Sequence, residues 1–214
     1  MFDKYISLGD NCEIGLNFSR VGYEYSSLLR FAMTPTKSLL SLLDGCFDGL
    51  FEAISPISNN MCQCQKYKIS FHTKIHSEIN GGMRKYKDGI DVDAIHQNDL
   101  NKIKYLTEKL ISDMSSPDKI LYLLKSNVTT KPDDILSVFN KIKSYGGNPT
   151  LLVLSLQETP ENINNNIVYE RFPRFAPYND AYDYDVEAWD NIFIKYPLKE
   201  HDYISCSGLV PVEL

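Results

Sequence analysis

No run of apolar residues in this chain approaches the length of a membrane span, and the opening MFDKYISLGD lacks the basic and apolar regions of a secretory signal. A cytoplasmic location is therefore the default expectation. Positive charge is scarce as well: 22 lysines and arginines face 28 acids, for a net charge of -6, and no basic cluster offsets it. That excludes a general nucleic-acid surface. Glycine-rich phosphate cradles are missing, because GDNCEIG spaces its glycines wrongly for a dinucleotide fingerprint or a P-loop. Tryptophan occurs once, at Trp189. The 5 cysteines are odd in number and irregular in spacing, which suits reduced thiols better than a disulfide framework.

What is present describes an ordinary globular protein. With 214 residues, 43% hydrophobic and 23% charged, the chain suits one domain with an ample core. The segments KYISL, KILYLL and TLLVLSL have the character of buried strands, and amphipathic helical patterns separate them. The expected fold is α/β: three layers, with a mostly parallel sheet, helices on both faces and the first strand inside the sheet. Helices are expected at 13–21, at 36–44 with Thr36 as N-cap, at 93–114, from Pro132 to a close at Gly146-Gly147, and at 186–193 with Asp185 as N-cap. QKYKISFH (65–72) alternates as a half-exposed strand and IVYERF as a further one, while 47–60 reads as loop and 78–89 as a mobile loop or lid. Residues 174–214 form a C-terminal extension expected to pack on the sheet, with the tail from Lys195 uneven in pattern.

Chemistry concentrates in the first motif. A short strand at Tyr5–Leu8 ends at Gly9, Asp10 and Asn11 supply turn chemistry, and Cys12 opens a helix. A thiol at that position feels the positive end of the helix dipole and unpaired N–H groups, so its pKa is expected to fall below about 8.5. Those N–H groups also suit an oxyanion on an attacked acyl group. The plain alternative is a small buried cysteine.

A cysteine nucleophile needs a base, and His72, His76, His96 and His201 are the histidines available. His72 ends an expected strand, on the side of a sheet where ligands collect, and is the preferred partner; a hydrogen-bonded strand-edge histidine is the alternative. His96 and His201 read as surface residues. Asp10, Asn11, Asp180 and Asp185 are candidates to orient the imidazole. Arg30, Arg171 and Arg174 can each fork onto a phosphate or carboxylate, although surface ion pairing is their commoner fate. Cys62, Cys64, His72 and His76 supply soft and borderline zinc ligands. C-x-C is a weak metal signal, and zinc there would take His72 from Cys12; no metal is assigned.

SLGDNCEIGLNFSRVGYEYSSLLRFAMTP resembles the start of a bacterial family classed as papain-like cysteine peptidases, whose members open with an SLGxNCE-type motif. The likeness continues in His72-Thr73, in the helix and strand block at 93–156 and in RFAPYNDA with nearby Trp189, so it covers most of the chain. It implies a nucleophile at Cys12 and a base at His72. Related-looking domains stand beside, or fused to, glycosyltransferases in surface-polysaccharide loci, which implies a glycan or small-molecule substrate and association with glycosyltransferases. A local, more distant likeness joins the motif to a capsule-biosynthesis acetyltransferase with a Gly-Asn-Cys opening, a coenzyme A site and a Cys–His pair. That implies acyl-CoA as co-substrate, with no permanently bound cofactor. The expected function is acyl transfer to a sugar of a surface polysaccharide. The alternatives are a cysteine hydrolase and a non-catalytic glycan-binding or assembly module, the last suggested by aromatics near Tyr178 to Trp189.

Overall fold

The computed structural model describes residues 1–127, 130–157 and 166–199. In chain order the elements are β1 (Lys4–Ser7), α1 (Glu13–Arg20), α2 (Thr36–Asp44), β2 (Ile54–Ser58), β3 (Met61–Cys64), β4 (Ser70–His72), β5 (Ser77–Asn80), β6 (Met83–Tyr86), α3 (Val92–Ser115), β7 (Lys119–Ser126), α4 (Pro132–Lys143), β8 (Asn148–Ser155), β9 (Ile167–Arg171) and α5 (Val186–Lys195). β1, β7, β8 and β9 form a parallel sheet in that order. The fold is α/β, as the alternation of apolar strands and amphipathic helices requires.

Side-chain alternation along β7 and β8 decides what packs where, because successive residues of a strand point to opposite faces. Ile120, Tyr122, Leu124, Leu151 and Val153 join one apolar cluster with Leu39 and Leu42 of α2, Ile103 and Leu110 of α3, and Val138 and Phe139 of α4. Leu121, Leu123, Leu152 and Leu154 join the other, with Ile14 and Phe18 of α1 and with Trp189 and Phe193 of α5. Arg20 of α1 reaches Asp190 of α5 at 2.6 Å on that second face.

Several expectations change. β1 lies at the sheet's edge and pairs only with β7. Its opening is covered by the returning chain, where Phe2 donates to Pro197 O and Lys199 donates to Phe2 O. Pro35, not Thr36, is the N-cap of α2. The segment read as loop at 47–60 contains β2, and its Phe47, Leu50 and Phe51 are buried. QKYKISFH is strand only at β4; its first half is a turn in which Lys68 takes φ 58°, and β2, β3 and β4 make a separate antiparallel sheet. The supposed lid at 78–89 is largely a second hairpin, β5–β6, turning at Gly81 and Gly82 with both φ positive. These short strands escape sequence reading because their apolar periodicity is brief and their stability comes from pairing with segments distant in sequence.

Candidate active site

The first motif folds as strand, tight turn and helix. Gly9 (φ +92°) and Asp10 (φ +86°) are consecutive left-handed residues that reverse the chain after β1. Glycine is required at the first of them twice over, since a Cβ there would stand 2.5 Å from Thr34 Oγ1. Asp10 bears a side chain in the same conformation, at a cost its contacts offset: Oδ1 accepts from the Tyr178 hydroxyl at 2.5 Å and Oδ2 lies 3.3 Å from Lys125 Nζ. Asn11 Oδ1 accepts from Glu13 N at 3.1 Å and from Lys125 Nζ at 2.9 Å, which closes the turn onto the first helical residue and ties it to β7. Cys12 is the N-cap residue of α1 and is half-buried.

His72 comes from the antiparallel sheet, not from the carboxyl end of a parallel strand. A short bridge brings it within reach. Met33 and Ser70 exchange backbone hydrogen bonds of 2.9 and 3.0 Å, joining the segment after the first helix to β4. The same segment presses on the nucleophile's turn: Phe31 O lies 3.7 Å from Cys12 Sγ, and a side chain at Gly15 would run into Arg30 O. Beyond His72, Thr73 donates to Asp99 Oδ2 of α3 at 2.5 Å and fixes the strand end. Cys12 Sγ and His72 Nε2 are thereby 3.3 Å apart.

The electrostatics of the pair differ from the expected lowered thiol pKa. Burial pushes the Cys12 thiol up from its ordinary value, and the charge of Lys125 opposes that rise. The protein around the His72 ring lowers the imidazole pKa, even though the residue has an exposed edge. Both shifts disfavour the charged form of the group concerned, which favours a neutral thiol beside a neutral imidazole over a preformed ion pair.

Beneath Cys12 lies a buried charge cluster that sequence reading did not find. Lys125, at the carboxyl end of β7, is 2% exposed and lies 2.7 Å from Glu13 Oε2; Glu13 is fully buried. Glu13 also accepts from Trp189 Nε1 and from Ala176 N, both at 3.0 Å. The Lys125 ammonium sits 4.6 Å from the centroid of the Phe175 ring. A lysine closing a run of apolar strand residues was the available signal, since a buried cation demands partners.

The other sequence candidates fall elsewhere. Arg30 lines the cavity beside Cys12, but its fork is occupied: Nη1 donates to Tyr25 O at 2.9 Å, and Nη2 to Tyr23 O at 2.8 Å and Ser19 Oγ at 2.7 Å. Those two nitrogens tie the 23–25 loop to α1, while Nε is buried without a partner. Arg174 makes an exposed ion pair with Asp183 at 3.0 Å. Asp180 Oδ1 accepts from Tyr182 N in a turn, and Asp185 caps α5 through Ala188 N. Neither of them, nor Asp10 or Asn11, bonds His72, and among the described residues no acid or amide holds its other ring nitrogen. His96 is half-buried, not on the surface, with Nε2 2.7 Å from Phe51 O.

Cys62 and Cys64 share the core-facing side of β3, and burial pushes the Cys62 thiol up to about 11. Among the described residues no group of three or more histidines, cysteines or acids converges on a metal position. Trp189 and Phe193, which the expected 186–193 helix would bury on one side, are both buried. His201 and Cys206 lie outside the described residues.

Cys12 and His72 open onto a cavity of about 520 Å³ between the 26–31 loop and α3. The fold and site together define an α/β protein with a cysteine–histidine pair at a helix N-terminus. Comparison with protein-family models, with curated proteins and with solved structures finds no match to this chain. No described helix is long and apolar enough to cross a membrane.

Proposed function

We propose that this protein is a cysteine-nucleophile acyl-transfer enzyme. The observation that carries the reading is the 3.3 Å approach of Cys12 Sγ to His72 Nε2 at the opening of α1, inside a cavity. Neutral His72 accepts the thiol proton as sulfur attacks the acyl carbon; the S–C bond forms, and the bond from that carbon to the donor's leaving group breaks. The imidazolium returns its proton to the leaving group. In the second half-reaction an acceptor hydroxyl attacks the thioester, His72 takes the hydroxyl proton, and Cys12 is released and reprotonated. N–H groups at the start of α1 are suited to stabilise the oxyanion of each tetrahedral intermediate.

The resemblance to proteins of polysaccharide loci supports a sugar hydroxyl as acceptor and acyl-CoA as donor, with glycosyltransferases as associates. The exposed edge of His72 favours a second reading, a hydrolase in which water replaces the sugar. A glycan-binding module without catalysis has less support, because Cys12 is paired with an imidazole and Trp189 is not available for stacking.

The test is intact-mass analysis after incubation with acyl-CoA. An acyl adduct is expected on the native chain and on none of the Cys12→Ser protein, and His72→Ala should slow its formation by about 10²–10⁴-fold. An equal adduct level in Cys12→Ser overturns the assignment.

A further inference from the structure

We propose that the cavity beside Cys12 and His72 is an acyl-chain pocket, so that the preferred donor carries a linear aliphatic acyl group in place of a short acetyl group. The proposal rests on the acyl-transfer reading above and names the substrate class of that site.

Its walls decide the matter. One face of α3 supplies Ile103 and Leu106, the 26–31 loop supplies Leu28 and Phe31, and Phe51 and Phe71 meet edge to face with centroids 5.3 Å apart. A sugar or peptide in such a space would need buried donors and acceptors converging on it. Most of those nearby are engaged: the Arg30 nitrogens Nη1 and Nη2 hold backbone carbonyls and Ser19, and Asp99 holds Thr73, which leaves the buried Arg30 Nε as a single donor without a partner. The cavity's volume of about 520 Å³ is far more than an acetyl group fills. Glu24, Ser26, Asn60 and Lys102 are exposed and form a polar rim around this apolar interior. Lys102 makes no ion pair among the described residues and offers its charge to an anionic carrier of the chain. An acyl group that enters chain-first leaves its carbonyl at the Cys–His pair.

Cys46, exposed and outside the cavity, provides an internal reference in the same molecule. The native chain is treated with N-alkyl iodoacetamides from ethyl to decyl, and labelling of Cys12 relative to Cys46 is read by mass spectrometry. The ratio should rise by about fourfold for each added methylene until the cavity is full, as expected for moving a CH₂ out of water. Leu106→Glu, which puts a charge on the wall, should flatten that rise. Calorimetric titration of Cys12→Ser with decanoate should show binding, and acetate should show none; this measurement does not depend on the Leu106 variant folding. A ratio independent of chain length, with acetyl-CoA acylating Cys12 as fast as decanoyl-CoA, overturns the pocket and leaves acyl transfer standing. Chain-dependent alkylation with no adduct from any acyl-CoA supports the pocket and overturns the transfer reading.

Discussion

Lys125 Nζ lies 2.7 Å from Glu13 Oε2, one residue beyond the nucleophile, and water reaches neither side chain to any useful extent. Two buried carboxylates, Asp10 and Glu13, share that one ammonium. Because Glu13 also binds Trp189 and Ala176, the cluster ties the turn carrying Cys12 to the end of β7 and to the C-terminal segment together. The position of the sulfur is thus set by groups from three distant parts of the chain.

Replacing Lys125 by Met leaves two carboxylates buried without their cation. The expected loss of stability is about 3–5 kcal/mol, read from urea denaturation. Lys125 also holds the Cys12 thiol pKa down against burial, so the pH midpoint of Cys12 alkylation should move higher in the variant. An unchanged midpoint would show that the lysine acts on structure alone.

The pH dependence of activity follows from the directions of these two shifts. His72 has its pKa lowered, so it remains an unprotonated base below about 6.5, and activity should fall only as pH drops through that lowered value. The Cys12 thiol has its pKa raised, so no alkaline decline is expected across the neutral range. A preformed thiolate–imidazolium pair would lose activity on the alkaline side as the imidazolium deprotonates. The profile of kcat/KM distinguishes the two.

Trp189→Ala empties a fully buried site and should cost about 3–5 kcal/mol. Trp189→Phe keeps most of the packing and removes only the indole donor to Glu13, for about 1–3 kcal/mol. Deleting the chain from Arg174 onward removes this anchor with Ala176 and α5, and both solubility and acyl transfer should be lost. A truncated chain that stays folded and active would contradict the coupling.

Arg30→Lys separates a structural arginine from a substrate-binding one. Lysine cannot span Tyr25 O, Tyr23 O and Ser19 Oγ from one planar group, so stability should fall by about 1.5–3 kcal/mol. KM for the acyl donor should stay close to the native value at temperatures where the variant is folded. A large rise in KM with unchanged stability would return Arg30 to the substrate.

The long elements were legible because their periodicity is sustained. KILYLL and TLLVLSL became β7 and β8, the 93–114 pattern became α3, and Asp185 caps the last helix. The strand, turn and helix around Cys12 were readable for the same local reason: glycine permits the turn, and a short amphipathic run follows it. The chain's order also placed His72 at a strand end, though in the wrong sheet.

Sequence by itself therefore determined the α/β class and the chemistry available at Cys12 and His72, because both depend on residue type and short-range pattern. Only the tertiary structure decided that the sulfur and imidazole meet, through the Met33–Ser70 bridge. It also turned Arg30 inward to backbone carbonyls, joined Lys125 to Glu13 across 112 residues of chain, and buried the thiol enough to raise its pKa. Those outcomes depend on desolvation and on contacts between distant segments. Neither quantity is carried by local periodicity.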